Sequence, residues 1–177
     1  MVREIGPGTG GLTRSFLELN PYKLIAIEKD KRCISLLQDI KSHYSHLEII
    51  EEDALKISIE DILKRYNSNQ KVKIIANLPY NIATHLIVKW LYESEYIHSI
   101  NLMVQKEVAQ RIVAEHSSKE YGRLSIISQI IANVEKLFDV SPESFYPKPK
   151  IWSSIISIVP KKSSLEKKEL EILSKLT

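Results

Sequence analysis

The chain has 177 residues, of which 44% are hydrophobic and 27% charged, as in a globular domain large enough to bury a core. No apolar run approaches the ~20 residues of a membrane-spanning helix and no signal-peptide pattern is present, so we expect a cytoplasmic protein. Cys33 is the single cysteine, which excludes an intrachain disulfide, and the net charge of +3 permits an anionic partner without requiring one.

Short β-rich runs alternate with longer amphipathic runs along most of the chain. The predicted strands occupy residues 1–5, 23–28, 46–50, 71–77 and 97–105. The predicted helices occupy residues 12–19, 31–41, 59–66 and 85–94, with two more near 106–116 and 122–132. Residues 134–141 and 151–160 are expected to form a closing β pair. This order predicts an α/β fold with a mostly parallel central sheet and helices on both faces.

Four of the five glycines lie within the first eleven residues, directly after the first predicted strand. A glycine-rich turn there lets the backbone approach a ligand closely, although a tight turn without a ligand is the alternative. Gly6, Gly8 and Gly11 fit the dinucleotide pattern G-x-G-x-x-G. Gly6, Gly8 and Gly10 equally fit the looser G-x-G-x-G pattern of nucleoside-binding methyltransferases. The glycines alone do not decide between the two patterns.

Three carboxylates are candidate contacts for a nucleoside cofactor. Glu28 ends the second predicted strand, where a carboxylate can accept hydrogen bonds from both ribose hydroxyls. An exposed acid near the N-cap of the next helix is the alternative for Glu28. Glu4 lies inside the first strand, where it can hold the glycine turn or meet an amino group of a cofactor. Asp53 follows the third strand and can accept a hydrogen bond from an adenine amino group. A role in a turn or a helix cap is the alternative for Asp53.

The fourth predicted strand ends in Asn77-Leu78-Pro79-Tyr80, at the same sheet edge as the glycine turn. The Asn77 side-chain oxygen and the Leu78 carbonyl can accept both N–H groups of a nucleobase amine and aim its lone pair at a methyl group. Pro79 stiffens the turn, and the Tyr80 ring offers a surface on which a base can stack. A β-turn with a buried tyrosine is the alternative. The motif favours S-adenosylmethionine over NAD as the cofactor.

Seven short motifs follow one another along the chain: EIGPGTGGLT, AIEKD, EEDAL, ANLPYNIAT, MVQKEVAQRI, YGRLSI and FYPKPKIWSS. Together they resemble the ribosomal RNA adenine N6,N6-dimethyltransferases, closest to the bacterial small-subunit branch, over residues 1–160. The resemblance implies a Rossmann-like class I S-adenosylmethionine-dependent methyltransferase fold without a metal. It also implies dimethylation of two adjacent adenines in the 3′-terminal hairpin of small-subunit rRNA, by a monomer acting on immature small ribosomal subunits.

The resemblance also assigns roles to individual residues. The implied cofactor contacts are Glu4, Gly6, Gly8, Gly10, Glu28, Asp53, Ala54 and Asn77. The implied catalytic residues are Asn77, Leu78, Pro79, Tyr80 and Phe145, with the flipped adenine stacked between Tyr80 and Phe145. Lys148 and Lys150 are expected to meet RNA phosphates. A loop aromatic that caps the core is the alternative for Phe145.

Two residues depart from the family pattern, which usually has proline at His85 and aspartate at Trp152. We interpret His85 as a helix-start residue and Trp152 as a packing residue, and we expect Cys33 to be a buried apolar side chain. Relatives also have a cofactor-covering segment before the glycine turn and a helical RNA-binding domain at the other end. We therefore expect residues 1–160 to be a catalytic core truncated at both ends, and 161–177 to be a charged helical linker or the start of the C-terminal helical RNA-binding domain.

Two other functions remain open on the same scaffold. One is a large-subunit rRNA adenine N6-methyltransferase of the resistance type, although Leu78 and the following NIAT favour the small-subunit branch. The other is a ribosome assembly factor that binds immature subunits without methylating them.

Overall fold

A seven-stranded sheet lies at the centre of the computed structural model, which describes residues 1–161 and residue 169. The strands are β1 (Val2–Ile5), β2 (Leu24–Glu28), β3 (Leu47–Glu51), β4 (Val72–Asn77), β5 (Ile97–Gln105), β6 (Ala132–Val140) and β7 (Ser153–Pro160). The helices are α1 (Gly11–Glu18), α2 (Lys31–His43), α3 (Ile59–Arg65), α4 (Tyr80–Tyr92), α5 (Lys106–Val113) and α6 (Arg123–Ile131). Short 3-10 turns occupy Ser94–Tyr96 and Pro142–Ser144.

The strands lie in the order β3-β2-β1-β4-β5-β7-β6. The first five in this order are parallel to one another, whereas β7 is antiparallel to both β5 and β6. The predicted α/β fold, with a mostly parallel sheet closed by an antiparallel pair, is therefore confirmed. Parallel strands buried on both faces favour continuous apolar runs, of which LIAI in β2 is an example.

Helices cover both faces of the sheet, and each face has its own core. The smaller core lies against α1 and α2 and contains Leu17, Leu24, Ala26, Leu37, Ile40 and Leu47. The larger core includes buried residues of α3, α4, α5 and α6. Successive side chains of a strand point to opposite faces, so Ile25 and Ile27 lie in the larger core while Ala26 between them lies in the smaller one.

Helix α4 begins at Tyr80, five residues before the predicted start. The backbone of Pro79 has a φ of −56°, which leads directly into a helix, and its carbonyl accepts a hydrogen bond from the Ile82 N–H at 3.1 Å. His85 therefore lies in the second turn of α4, and its interpretation as a helix-start residue is wrong. Two further interpretations are wrong, because Cys33 is only partly buried and Trp152, which was expected to pack, is 49% exposed.

The linker is predicted at residues 161–177. Of these, residues 162–168 and 170–177 lie outside the described residues. That prediction stays untested. None of the helices in the described part of the chain is long and apolar enough to cross a bilayer.

Three glycines give the turn between β1 and α1 its left-handed backbone. The φ angles are 65° at Gly6, 57° at Gly8 and 82° at Gly10, which is the N-cap residue of α1. Gly11 already lies in the helix, without a positive φ. The positive φ angles thus fall at the three glycines of the G-x-G-x-G spacing of methyltransferases. Gly11, the last glycine of the dinucleotide pattern, has a backbone conformation that other residues also adopt.

The neighbouring Gly10 and Gly11 provide a matched pair for a stability test. A Cβ on Gly10 would lie 2.4 Å from Ile40 Cδ1, whereas a Cβ on Gly11 would meet no heavy atom within 4 Å. We expect Gly10→Ala to lower the free energy of unfolding by about 2–4 kcal/mol, from left-handed strain and overpacking. Gly11→Ala should leave it unchanged or raise it by up to about 1 kcal/mol. Urea denaturation followed by circular dichroism would test this, and equal losses in both variants would contradict it.

Candidate active site

The predicted site residues meet at one edge of the sheet. The glycine turn follows β1, Glu28 ends β2, Asp53 follows β3 and Asn77 ends β4, and these four strands are neighbours in the sheet. Because the strands are parallel, their carboxyl ends lie together, which is where ligands bind in open α/β sheets. The topology therefore brings together residues that lie far apart in the sequence.

The Glu28 carboxylate links the end of β2 to the glycine turn. Its Oε2 accepts a hydrogen bond from the Gly8 N–H at 3.1 Å. Its Oε1 accepts from the Lys29 N–H at 2.8 Å and the Asp30 N–H at 2.9 Å. A carboxylate has about four lone-pair sites, so one remains for a ligand hydroxyl. The N-cap of α2 is Asp30, so Glu28 itself is not a helix cap.

Asp53 shapes the turn after β3. Its Oδ1 accepts a hydrogen bond from the Leu55 N–H at 3.0 Å, and its Oδ2 lies 3.6 Å from Lys29 Nζ. These interactions, chiefly the bond from Leu55, hold the pKa of Asp53 below its usual value. Helix α3 is capped by Ser58, so of the two alternative roles for Asp53 the structure has the turn and not the helix cap. The proposed adenine contact remains compatible with this turn and stays a prediction.

Lys89 holds the turn after β3 in place, and sequence reasoning missed it. From α4 its Nζ donates hydrogen bonds to the carbonyls of Ala54 and Leu55, both at 3.1 Å, and of Ile57 at 2.6 Å. Burial lowers the pKa of Lys89. The available signal was a single lysine within the apolar run HLIVKWLY, since such a charge needs buried partners.

Glu4 lies in β1, two residues before the first glycine of the turn, with 1% of its surface exposed. Its Oε2 has no hydrogen-bond partner within the described residues. Burial raises the pKa of Glu4 to about 7, while a side-chain contact with Thr13 acts in the opposite direction. This burial favours support of the turn over direct contact with a ligand.

The Asn77–Tyr80 motif adjoins the glycine turn. A Cβ on Gly6 would lie 3.8 Å from Pro79 Cδ, so the two turns are neighbours. Asn77 is exposed, and its side chain makes no hydrogen bond to the described part of the chain. Leu78 is buried, and its N–H points to the carbonyl of Met103 at 3.4 Å. The motif thus presents a free amide beside a fixed backbone turn.

Tyr80 is held by a hydrogen bond between its hydroxyl and a residue of β7. Its hydroxyl lies 3.0 Å from the Ser153 Oγ at the start of β7, and either group can be the donor. Ser153 is fully buried and is a second residue that sequence reasoning missed, because nothing in the pattern links it to a tyrosine far along the chain. Tyr80 itself is half-buried, so the alternative of a fully buried tyrosine does not hold.

The loop before β7 contains the other predicted RNA contacts. Phe145 is half-buried after the 3-10 turn, and its ring makes no contact with that of Tyr80. Lys148 forms an exposed ion pair with Glu143. Such a pair contributes little to stability and can be exchanged for a phosphate. Lys150 is exposed. Within the described residues, no group of three metal-ligating side chains exists.

The chain matches a family model described as "Ribosomal RNA adenine dimethylase" over residues 1–177. It is 43% identical over 177 residues to a ribosomal RNA small subunit methyltransferase A of Wolbachia sp. subsp. Brugia malayi (strain TRS), covering 99% of this chain and 66% of the relative. The corresponding protein of Ehrlichia ruminantium (strain Gardel) is 50% identical over 157 residues, covering 88% and 58%. The chain thus spans less than two thirds of the length of these curated relatives.

Two solved structures share this fold along nearly the whole chain. A dimethyladenosine transferase from Plasmodium falciparum superposes with a TM-score of 0.78 at 34% identity, covering 99% of this chain and 57% of that one. The 23S rRNA methyltransferase ErmE also gives a TM-score of 0.78, at 24% identity, covering 99% and 67%. Both likenesses confirm the Rossmann-like methyltransferase fold.

The raised pKa of Glu4 predicts a pH dependence of stability. The pKa is about 7 in the folded chain and near 4.5 when the side chain is free in water, so the folded chain holds this proton more tightly. As the pH rises from about 4.5 to about 7, the unfolded chain loses the proton first and the free energy of unfolding falls by ~3 kcal/mol. Glu4→Gln should abolish this fall.

Urea denaturation across this pH range measures the effect. Glu18→Gln, which changes an exposed carboxylate of α1, should keep the pH dependence of the unchanged chain. Parallel curves for the unchanged chain and for Glu4→Gln would show that Glu4 does not titrate in this way.

Proposed function

The chain belongs to the ribosomal RNA adenine dimethylase family, and on that premise we propose that it methylates rRNA. The substrate is the N6 amine of two adjacent adenines in the 3′-terminal hairpin of small-subunit rRNA. The methyl donor is S-adenosylmethionine, and the chain acts as a monomer on immature small subunits in the cytoplasm. The observation that carries the proposal is the exposed Asn77 amide beside the glycine turn.

The residues at the sheet edge fit a nucleoside cofactor. Glu28 retains acceptor capacity toward a ribose, and a Cβ on Gly8 would meet no heavy atom within 4 Å, so the space beside the turn is open. Asp53 lies on the next strand end, where an adenine amino group would be recognised. When bound there, S-adenosylmethionine supplies an electrophilic methyl group on a positively charged sulfur.

The Asn77–Tyr80 motif is suited to prepare a weak nucleophile. The lone pair of an exocyclic adenine amine is delocalised into the ring, so the free amine attacks poorly. The Asn77 side-chain oxygen and the Leu78 carbonyl accept its two N–H groups and favour a tetrahedral nitrogen. Held in this way, the amine would be aligned with the methyl group that the bound cofactor would supply, and the methylated nitrogen would release its proton to water. Alignment supplies most of the catalysis.

The aromatic and basic side chains around this motif suit a flipped base. Tyr80 provides a ring whose hydroxyl is fixed by Ser153, and Phe145 provides the opposite face of the proposed sandwich. Lys148 and Lys150 lie on the same loop as Phe145 and can contact the RNA backbone. The curated relatives carry the small-subunit name, which favours that substrate over large-subunit rRNA.

Removal of the Glu28 carboxylate tests the cofactor site. Glu28→Ala should weaken S-adenosylmethionine binding by about 1–3 kcal/mol, because charge-assisted hydrogen bonds to the ribose are lost. Isothermal titration calorimetry measures this change. Glu51→Ala is the matched control, since Glu51 is the register partner of Glu28 at the end of β3. Unchanged affinity in Glu28→Ala, or binding of NAD by the unchanged chain, would contradict the assignment.

Substitution of Asn77 tests the chemistry. Asn77→Ala should lower single-turnover methylation of a small-subunit rRNA fragment at least about hundredfold, as loss of one transition-state contact does elsewhere. RNA affinity should hardly change, since it comes mainly from lysines and arginines on phosphates. Tyr80→Phe should be mild and Tyr80→Ala severe, because only the latter loses the stacking ring.

Asn133→Ala, which removes an exposed asparagine of β6, is the control for these measurements. Near-normal turnover in Asn77→Ala would exclude the proposed role of the amide. An unchanged chain that binds the fragment without methylating it would instead indicate a non-catalytic assembly factor.

A further inference from the structure

Lys89 connects the two halves of the proposed site. It lies on α4, whose first residue is Tyr80, the last residue of the Asn77–Tyr80 motif. Nine positions of helix separate Tyr80 from Lys89, which corresponds to about 13.5 Å. There the ammonium of Lys89 bonds the backbone of the turn after β3, which contains Asp53. A single helix therefore joins the motif proposed to hold the substrate amine to the turn proposed to hold the base of the cofactor.

The ammonium of Lys89 matches the backbone of this turn. An ammonium has three N–H donors, and three carbonyl oxygens lie around this one. The distances from Nζ are 3.1 Å to the oxygens of Ala54 and Leu55 and 2.6 Å to the oxygen of Ile57. Because these three acceptors converge on one atom, the orientation of the peptide groups between them is restricted.

Two of these peptide groups continue from Lys89 to Asp53. The group with the Ala54 C=O has its N–H on Leu55, and this N–H donates to Asp53 Oδ1 at 3.0 Å. The next group has the Leu55 C=O and the Lys56 N–H, which donates to the Asp53 carbonyl at 2.8 Å. In a trans peptide group the C=O and the N–H point in opposite directions, so Lys89 and Asp53 lie on opposite sides of both groups. A cation at one end of such a chain of hydrogen bonds strengthens the bond at the anionic end.

A lysine is a costly side chain at this place in α4. It lies in the apolar run HLIVKWLY, directly before the core residue Trp90, and burial lowers its pKa. A partly buried cation costs stability unless hydrogen bonds offset its desolvation, and an apolar side chain often packs equally well. The three carbonyl contacts offset this cost, and their specific effect is to fix the orientation of the turn.

The turn leaves one oxygen of Asp53 accessible to a ligand. Oδ1 accepts from the Leu55 N–H, whereas Oδ2 lies 3.6 Å from Nζ of the exposed Lys29. The side chain of Asp53 is 25% exposed. Because the bond at Oδ1 orients the carboxylate, the direction of Oδ2 depends on the same peptide groups that Lys89 holds.

We propose that Lys89 is a positioning residue that makes the cofactor site selective for adenine. Through the two peptide groups it keeps Asp53 Oδ2 directed at the amino group of the base. This rests on the proposed function, because it assumes that Asp53 accepts a hydrogen bond from the adenine of the cofactor. Without the ammonium the carbonyls of the turn lose their donors, the peptide groups can rotate, and the carboxylate is no longer held in one orientation.

Titration calorimetry with two ligands tests this proposal on the chain as it is. S-adenosylhomocysteine is compared with its analogue that has a hydrogen atom in place of the amino group of the base. The unchanged chain should prefer S-adenosylhomocysteine at least about tenfold, as expected for a hydrogen bond to a charged group. Lys89→Met keeps the apolar stem and removes the ammonium, and it should lower this preference to about threefold or less. A merely structural role would weaken both ligands equally and leave their ratio unchanged.

Further variants make the test specific to Lys89 and Asp53. Lys89→Gln retains two N–H donors beside the carbonyls, so it should fold even if Lys89→Met does not, and it should also lose preference. Lys56→Met is the matched control, because Lys56 is an exposed lysine of the same turn whose charge also acts on Asp53. It should keep the full preference. Asp53→Ala should abolish the preference by itself, and adding Lys89→Met to it should change the ratio no further.

The outcomes separate this proposal from the proposed function. Full preference for S-adenosylhomocysteine in either folded Lys89 variant would overturn the positioning role and leave the cofactor site intact. A further fall of the ratio when Lys89→Met is added to Asp53→Ala would also overturn it, because Lys89 would then act independently of Asp53. An unchanged chain that binds both ligands equally, or neither, would contradict the adenine contact itself and with it both proposals.

Discussion

The Glu28 carboxylate accepts hydrogen bonds from three backbone N–H groups, and the one from Gly8 joins the end of β2 to the glycine turn after β1. Gly10 of this turn is the N-cap residue of α1, and Gly6 of the same turn lies beside Pro79. The glycine turn therefore contacts both neighbouring strand ends, that of β2 through Glu28 and that of β4 through Pro79. A carboxylate that organises the backbone in this way is preorganised for a ligand, because its orientation is fixed before anything binds.

The first strand contains two adjacent buried ionisable residues, Arg3 and Glu4, on opposite faces of the sheet. Burial lowers the pKa of Arg3 to about 10, and its Nη2 points to the Ile59 carbonyl at 3.4 Å. Burial also raises the pKa of Glu4. Both groups cost stability at neutral pH, and apolar packing on each face of the sheet must offset that cost.

Alternation of apolar and amphipathic runs was enough to predict the sheet, its mixed pairing and the edge where the glycine turn, Glu28 and Asn77 meet. The contacts of Lys89 with the Ala54–Ile57 turn, and of Tyr80 with Ser153, could not be predicted from local patterns. They join residues 32 to 35 and 73 positions apart, so only the folded chain brings them together. The sequence pattern predicts the start of α4 too late, because a proline stiffens a turn but its φ also suits entry into a helix.

Because β7 runs opposite to the parallel strands, the proposed cofactor contacts and the proposed RNA contacts come from different parts of the chain. Parallel strands contribute their last residues to the site, whereas β7 contributes its first residue, Ser153, and the loop before it. That loop is anchored at both ends, by β6 and by β7, and shares no backbone with the glycine turn. A change of residue in this loop therefore leaves the backbone of the glycine turn untouched, so the two parts of the site can be altered independently of each other.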